Sequence, residues 1–191
     1  MLRKFFHIII IFTAFTLITG VIYPVAVKIL ASAFFPYSSS GKIIVKDDKA
    51  VGSELIAQNF ESNKYFHPRP SSTGYSAMPS GASNLAQSSI MLKKLFYGRR
   101  QSFCEENFIN STDNIPAEML FASASGVDPD ISPESAFMQA DRVAKARNFN
   151  LSEKNKLMAL INKMIEKPGI GFLGMPRVNV LLLNIELDKI K

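Results

Sequence analysis

Few side chains in this 191-residue chain are arranged for chemistry. His67, in Phe-His-Pro-Arg-Pro, is the one histidine beyond the apolar N-terminal segment, so any Ser/His/acid triad has to use it. Set among prolines, it reads as a residue that fixes a loop. Asp128 and Asp130 bracket Pro129 in a pattern that suggests a cation site, but Asp-Pro-Asp beside a helix cap is turn chemistry. Ser123, Ser125 and Gly126 lie just before a helix start and resemble an anion nest, because small residues leave backbone N–H groups open. Gln139 and Arg142 are spaced i, i+3 and share one helix stripe, which taken alone is a solvated polar face. The chain contains no G-x-x-x-x-G-K-[ST], G-x-S-x-G or H-E-x-x-H. Cys104 is the lone cysteine, so no intrachain disulfide forms and no His/Cys zinc set can be assembled. No catalytic residue and no metal ligand is assigned.

The elements that position these residues begin with a membrane segment. Phe5 to Val27 holds 23 residues without Asp, Glu, Lys or Arg. At about 1.5 Å per residue it makes a helix of about 34 Å, enough for a hydrocarbon core of about 30 Å. Arg3 and Lys4 precede it and only Lys28 follows closely, so the positive-inside rule puts the N-terminus in the cytoplasm and the rest outside. Ala31-Ser32-Ala33 has the form of a signal-peptide cleavage site, but the apolar run exceeds the roughly 7–15 residues of such a signal, so it reads as an uncleaved anchor. The predicted organisation is a tail and anchor over 1–30, a linker over 31–41 and one extracytoplasmic α+β domain over 42–191.

Within that domain, Lys42 to Gly52 reads as a hairpin around Asp47-Asp48. Pro68, Pro70, Gly74, Pro79 and Gly81 break residues 67–84 into a long irregular loop, and such loops are usually functional. Tyr65, Phe66 and Tyr75 let it pack, so it reads as ordered recognition surface. Ser89 caps a helix over about 90–101, with Ile90, Leu92, Leu95 and Phe96 as its apolar side. Pro116 to Phe121 is a strand or a single helical turn. Ser132-Pro133-Glu134 is a strong helix start, and Phe137, Ala140, Val143 and Ala144 point inward along a helix ending near Arg147. Ser152 is expected to cap a further helix to Lys167, with Leu157, Leu160, Ile161, Met164 and Ile165 as its stripe. Val178 to Leu183 reads as the most buried strand.

Beyond residue 30 the chain carries 19 Lys and Arg against 16 Asp and Glu. That mild excess, without a basic run interleaved with aromatics, argues against a nucleic-acid partner despite a pI near 9.4.

A series of motifs goes further: Gly-Ser-Glu-Leu-Ile-Ala-Gln-Asn-Phe (52–60), Tyr-Phe-His-Pro-Arg-Pro-Ser (65–71), Gly-Ala-Ser-Asn-Leu-Ala (81–86), Ala-Ser-Ala-Ser-Gly-Val-Asp-Pro-Asp-Ile-Ser-Pro-Glu-Ser-Ala (122–136), Gln-Ala-Asp-Arg-Val-Ala-Lys-Ala-Arg-Asn (139–148) and Asn-Val-Leu-Leu-Leu-Asn-Ile-Glu-Leu-Asp (179–188). In this order, after a single N-terminal span, they resemble the KdpC family, the C subunits of the bacterial potassium-importing Kdp P-type ATPase. The resemblance implies an accessory, non-catalytic subunit in the inner membrane. Its partners would be a channel-like potassium-translocating subunit, a P-type ATPase subunit and a very small membrane peptide. K⁺ would be the transported ion. The family is described as a catalytic chaperone that raises the ATP affinity of the ATPase subunit, with no tightly bound cofactor. On that basis Gln139 is the candidate for reading the base, and Arg142 with Ser123, Ser125 and Gly126 the candidates for phosphate. An extracytoplasmic domain sits where ATP is scarce, however. The favoured expectation is therefore that it caps the potassium entrance and acts on ATP affinity indirectly, with Tyr65, Phe66, His67, Arg69 and Tyr75 as docking residues. Two other classes remain on sequence grounds, a tethered enzyme using His67 and a stand-alone extracytoplasmic binding module.

Overall fold

The structure is a computed structural model that describes residues 2–46, 48–110, 112–169, 171 and 173–190. It divides into two compact units, Met1–Val51 and Gly52–Lys191.

The first unit opens with α1 (Leu2–Leu17), a π-helical turn (Ile18–Ile22) and α2 (Tyr23–Phe34). Together they form an apolar helix over Arg3–Phe34, 32 residues with a mean hydropathy reaching 2.3. The expected span lies inside it. Pro24 explains the π turn. Proline has no N–H to give, and its ring crowds the carbonyl four residues back. The helix widens there, and the Tyr23 N–H reaches Ile18 O instead. Thr16 and Thr19 hydroxyls donate to Phe12 and Phe15 carbonyls at 2.8 Å, so these polar groups are satisfied within the helix itself. A short helix, α3 (Pro36–Ser39), follows. Strands β1 (Ile43–Lys46) and β2 (Lys49–Ser53) then pair as the expected hairpin. Asp47 of its predicted turn lies outside the described residues, and Asp48 takes a positive φ of 58°.

The second unit is built mainly from helices. These are α4 (Ile90–Asn107), α5 (Ala117–Leu120), α6 (Pro133–Ala146), α7 (Leu151–Met164) and α8 (Val180–Leu187). Strands β3 (Asp130–Ile131) and β4 (Val178–Asn179) pair antiparallel, Asp130 opposite Asn179 and Ile131 opposite Val178. One core joins them, with Phe66, Ile131, Val143, Leu157, Ile161, Leu183 and Leu187 fully enclosed. The α+β class holds.

Several elements depart from expectation. Helix α4 starts on Ser89, whose hydroxyl accepts from Leu92 N–H, but continues to Asn107 and ends on left-handed Phe108. Ile90, expected on its inner side, is 85 % exposed. Asn150 rather than Ser152 caps α7: its side chain accepts from Glu153 N–H while the Glu153 carboxylate accepts from Asn150 N–H, a reciprocal capping box. That helix stops at Met164, where Glu166 leaves to bridge with Arg177. The largest difference is at Val178 to Leu183. Only Val178 and Asn179 are strand, because the Asn179 side chain then accepts from Leu182 N–H and turns the chain into α8.

Candidate functional site

The long loop is fixed by side chains rather than by a strand. At Phe66, Asn184 of α8 accepts from the backbone N–H at 2.8 Å and donates to the backbone C=O at 3.0 Å. At His67, Gln139 of α6 does the same, accepting at 2.7 Å and donating at 3.1 Å. Each amide copies the two-bond exchange of an antiparallel residue pair. The residues just before are held by guanidinium groups. Arg142 Nη1 donates to Asn63 O and Tyr65 O at 3.0 Å, and Arg147 Nε donates to Lys64 O at 2.8 Å.

Arg142 is the hub. Its Nε donates to Asn107 Oδ1 at 3.0 Å, its Nη2 to Gln139 Oε1 at 2.7 Å, and its Nη1 lies 3.2 Å from His67 Nε2. Gln139 is 0 % exposed and Arg142 2 %. The solvated polar face expected for this stripe is therefore an interior one. Burial draws the Arg142 guanidinium down to about 10, with Glu106 opposing. The charge is tolerated because its N–H groups meet polar acceptors.

His67 sits between charges. His67 Nε2 lies 3.2 Å from both Arg142 Nη1 and the Ser62 carbonyl, and Nδ1 faces Glu106 Oε2 at 3.7 Å. Burial first, and then the Arg142 charge, hold the imidazole down at about 4, against a smaller upward pull from Ser62 O. His67 lines one wall of a 670 Å³ groove, with Pro68, Tyr75, Lys94, Arg99 and Glu106 also on its walls.

The remaining sequence candidates lie elsewhere on the loop. Ser123 N–H donates to Pro70 O, Ser125 O accepts from Gly81 N–H, and Gly126 O accepts from Ser71 Oγ at 2.6 Å. This segment clasps residues 70–81 while Gln139 and Arg142 grip residues 63–67. Gly126 has φ 75°, and a Cβ there would lie 2.5 Å from Thr73 Oγ1 and 2.9 Å from Gly81 O, so only glycine fits. Arg69 pairs with Asp128 at 2.5 Å, and Tyr75 donates its hydroxyl to Arg69 O at 3.1 Å. Tyr65 packs on Phe60 and under the Arg147 guanidinium. Phe66 is 0 % exposed.

Sequence reasoning passed over Asn107, Asn184 and Glu118. Glu118 Oε1 accepts from Ser132 N–H and Ser135 Oγ, both at 2.6 Å, and so ties α5 to the start of α6. Their partners are remote in sequence and no local pattern announces them. A polar residue inside the apolar Val-Leu-Leu-Leu-Asn-Ile run was the one available sign for Asn184.

Among the described residues the chain thus joins one helix long and apolar enough to cross a membrane to an α+β unit organised by buried amides and arginines. The match to known proteins is correspondingly long. Residues 5–189 match the family model described as K+-transporting ATPase, c chain, KdpC. Similar chains, each called a potassium-transporting ATPase KdpC subunit, occur in Polynucleobacter asymbioticus (46 % identical, covering 93 % of this chain and 94 % of that one), Leptospira interrogans (43 %, covering 91 % and 87 %) and Escherichia coli O157:H7 (41 %, covering 91 % of each). The chain belongs to the KdpC family and is a subunit of a potassium-transporting ATPase. Its apolar helix fits a membrane location, and membership implies partner subunits.

Proposed function

We propose that this chain is a non-catalytic accessory subunit that assembles and stabilises the potassium importer and raises ATP affinity only indirectly. The observation that carries the reading is the commitment of Gln139 and Arg142. Gln139 Oε1 accepts from His67 N–H and Arg142 Nη2, its Nε2 donates to His67 O, and Arg142 donates to Asn63, Tyr65, Asn107 and Gln139. A nucleotide would have to break these bonds to use either side chain, at about 1–3 kcal/mol for each buried group left unpaired. The basic residues before the apolar helix favour a cytoplasmic N-terminus and an extracytoplasmic domain over 42–191. There the domain caps the potassium entrance of the channel-like subunit, and the anchor helix packs beside the P-type ATPase subunit and the small membrane peptide. Coupling between two states of the assembly then carries the effect to the ATP site.

The test is extraction of the tagged full-length chain in mild detergent from cells grown at limiting K⁺. Recovery with a P-type ATPase and a channel-like subunit, with K⁺-stimulated ATPase activity lost when this chain is deleted, supports the accessory role. Protection of residues 42–190 from impermeant labels in intact cells would sink the capping reading and restore a direct nucleotide site.

A further inference from the structure

The acidic residues of this chain are unevenly distributed. Residues 62–104 contain six Lys and Arg and no Asp or Glu. Four of the six, Lys93, Lys94, Arg99 and Arg100, fall within 11 residues at the start of α4. Arg99 and Arg100 donate to the Leu120 and Asp113 carbonyls, while Lys93 and Lys94 are exposed. The first acids on this helix, Glu105 and Glu106, come about 22 Å along its axis from Ile90 at 1.5 Å per residue. Cations at the positive end of a helix oppose its dipole, so local helix stability does not account for them.

The same stretch exposes large apolar side chains. Ile90, Lys94 and Tyr97 fall at i, i+4 and i+7 on the outward face, with Met91 beside them. Ile90 is 85 % exposed and Tyr97 66 %, whereas Leu92, Phe96 and Phe103 turn inward. Apolar anchors ringed by lysine, with a tyrosine at the edge, have the chemistry of an interfacial helix on anionic lipid. A soluble acidic partner would account for the lysines but not for Ile90 and Met91 standing in water. The bilayer is also at hand, because the chain carries its own apolar helix over Arg3–Phe34, and a tether raises the effective concentration of the surface it is anchored in.

We infer that the exposed Ile90, Met91, Lys93, Lys94 and Tyr97 face of α4 lies on the anionic phospholipid surface of the membrane that holds the anchor. The docking leaves the capping surface unspecified and does not depend on it.

The experiment uses full-length protein in nanodiscs, with a polarity-sensitive fluorophore on Ile90→Cys and a control fluorophore on Leu151→Cys, both in a Cys104→Ser background. Leu151 is 77 % exposed on α7. In discs of phosphatidylethanolamine and phosphatidylglycerol containing headgroup-proximal nitroxide lipid, the Ile90 probe is expected to shift to the blue and be quenched, and the Leu151 probe is not. Phosphatidylcholine discs, about 0.5 M salt, or the pair Lys93→Gln and Lys94→Gln should each reverse the effect, the pair lowering the docked-to-free ratio by roughly tenfold or more. A probe on Met91→Cys should repeat the pattern. An Ile90 probe as wet as the Leu151 probe in every lipid overturns the inference, as does equal quenching in neutral lipid. Shielding that appears only with the other ATPase subunits, whatever the lipid, also overturns it and gives this face to a protein.

Discussion

Gln139 and His67 are 72 positions apart, yet the side-chain amide of one closes both backbone hydrogen bonds of the other. Gln139 thus serves as a one-residue strand. The bond to Arg142 Nη2 orients the same amide, so its oxygen accepts from His67 N–H and Arg142 together.

Replacing Gln139 by Ala removes that strand. The His67 N–H and C=O and one Arg142 donor lose their partner, at about 1–3 kcal/mol for each group that stays buried. The expected loss is about 2–4 kcal/mol of domain stability, read by thermal unfolding of the full-length chain in detergent. In the assembled importer at a temperature where the variant is folded, ATP affinity is expected to stay near that of the unchanged complex. A drop of tenfold or more in the folded variant would point to direct contact with nucleotide.

Arg142→Lys should fare almost as badly despite keeping the charge. An ammonium has three donors and no fork, while the pocket offers four acceptors, Asn63 O, Tyr65 O, Asn107 Oδ1 and Gln139 Oε1. A destabilisation of about 3 kcal/mol is expected, measured as a shift in the denaturant midpoint. Stability close to that of the unsubstituted chain would mean that the pocket relaxes around a point charge.

The pH dependence follows from His67. Its folded value lies at about 4, below the ordinary 6.5, so between these limits the unfolded chain binds the extra proton and the folded chain does not. Stability is therefore complete above about pH 6.5, falls as pH drops through the window, and has lost its full His67 contribution near pH 4, a few kcal/mol at most. His67→Gln should flatten the slope of melting temperature against pH between about 6.5 and 4.5. An unchanged slope would assign that window to other groups.

The two candidate caps of α7 can be separated by measurement. Asn150→Ala removes the side-chain acceptor of Glu153 N–H and leaves the backbone N–H that donates to the Glu153 carboxylate, and it should cost about 1 kcal/mol, whereas Ser152→Ala, two residues inside the helix, should change stability by under about 0.5 kcal/mol. Equal effects would contradict the observed helix start.

The outcome at these caps shows what local sequence reveals. Ser132-Pro133-Glu134 could be read directly, because cap, proline and first-turn acid all act within four residues. The Leu157 and Ile161 stripe was legible for the same reason. At α7 the capping pair Asn150 and Glu153 stood in plain view, but the neighbouring Ser152 competed with it. Val178 to Leu183 was misread because a short, fully apolar run has no period to separate strand from buried helix, and the deciding bond, Asn179 to Leu182 N–H, is a side-chain choice. The site was least legible. An i, i+3 pair of Gln and Arg looks like surface until residues 63–67 are laid across it, and that placement is a tertiary event.

The loop that Asn184, Gln139, Arg142 and Arg147 hold has partners that are all synthesised much later. Phe66 awaits a side chain 118 residues downstream, and Lys64 awaits one 83 residues downstream. A nascent chain that has emerged only as far as α4 has its anchor helix and its basic stretch, but nothing to bind residues 63–67. The Asn184 bonds to Phe66 can form only once α8 has been made. Loss of the last dozen residues would therefore unfasten the middle of the domain as well as its end.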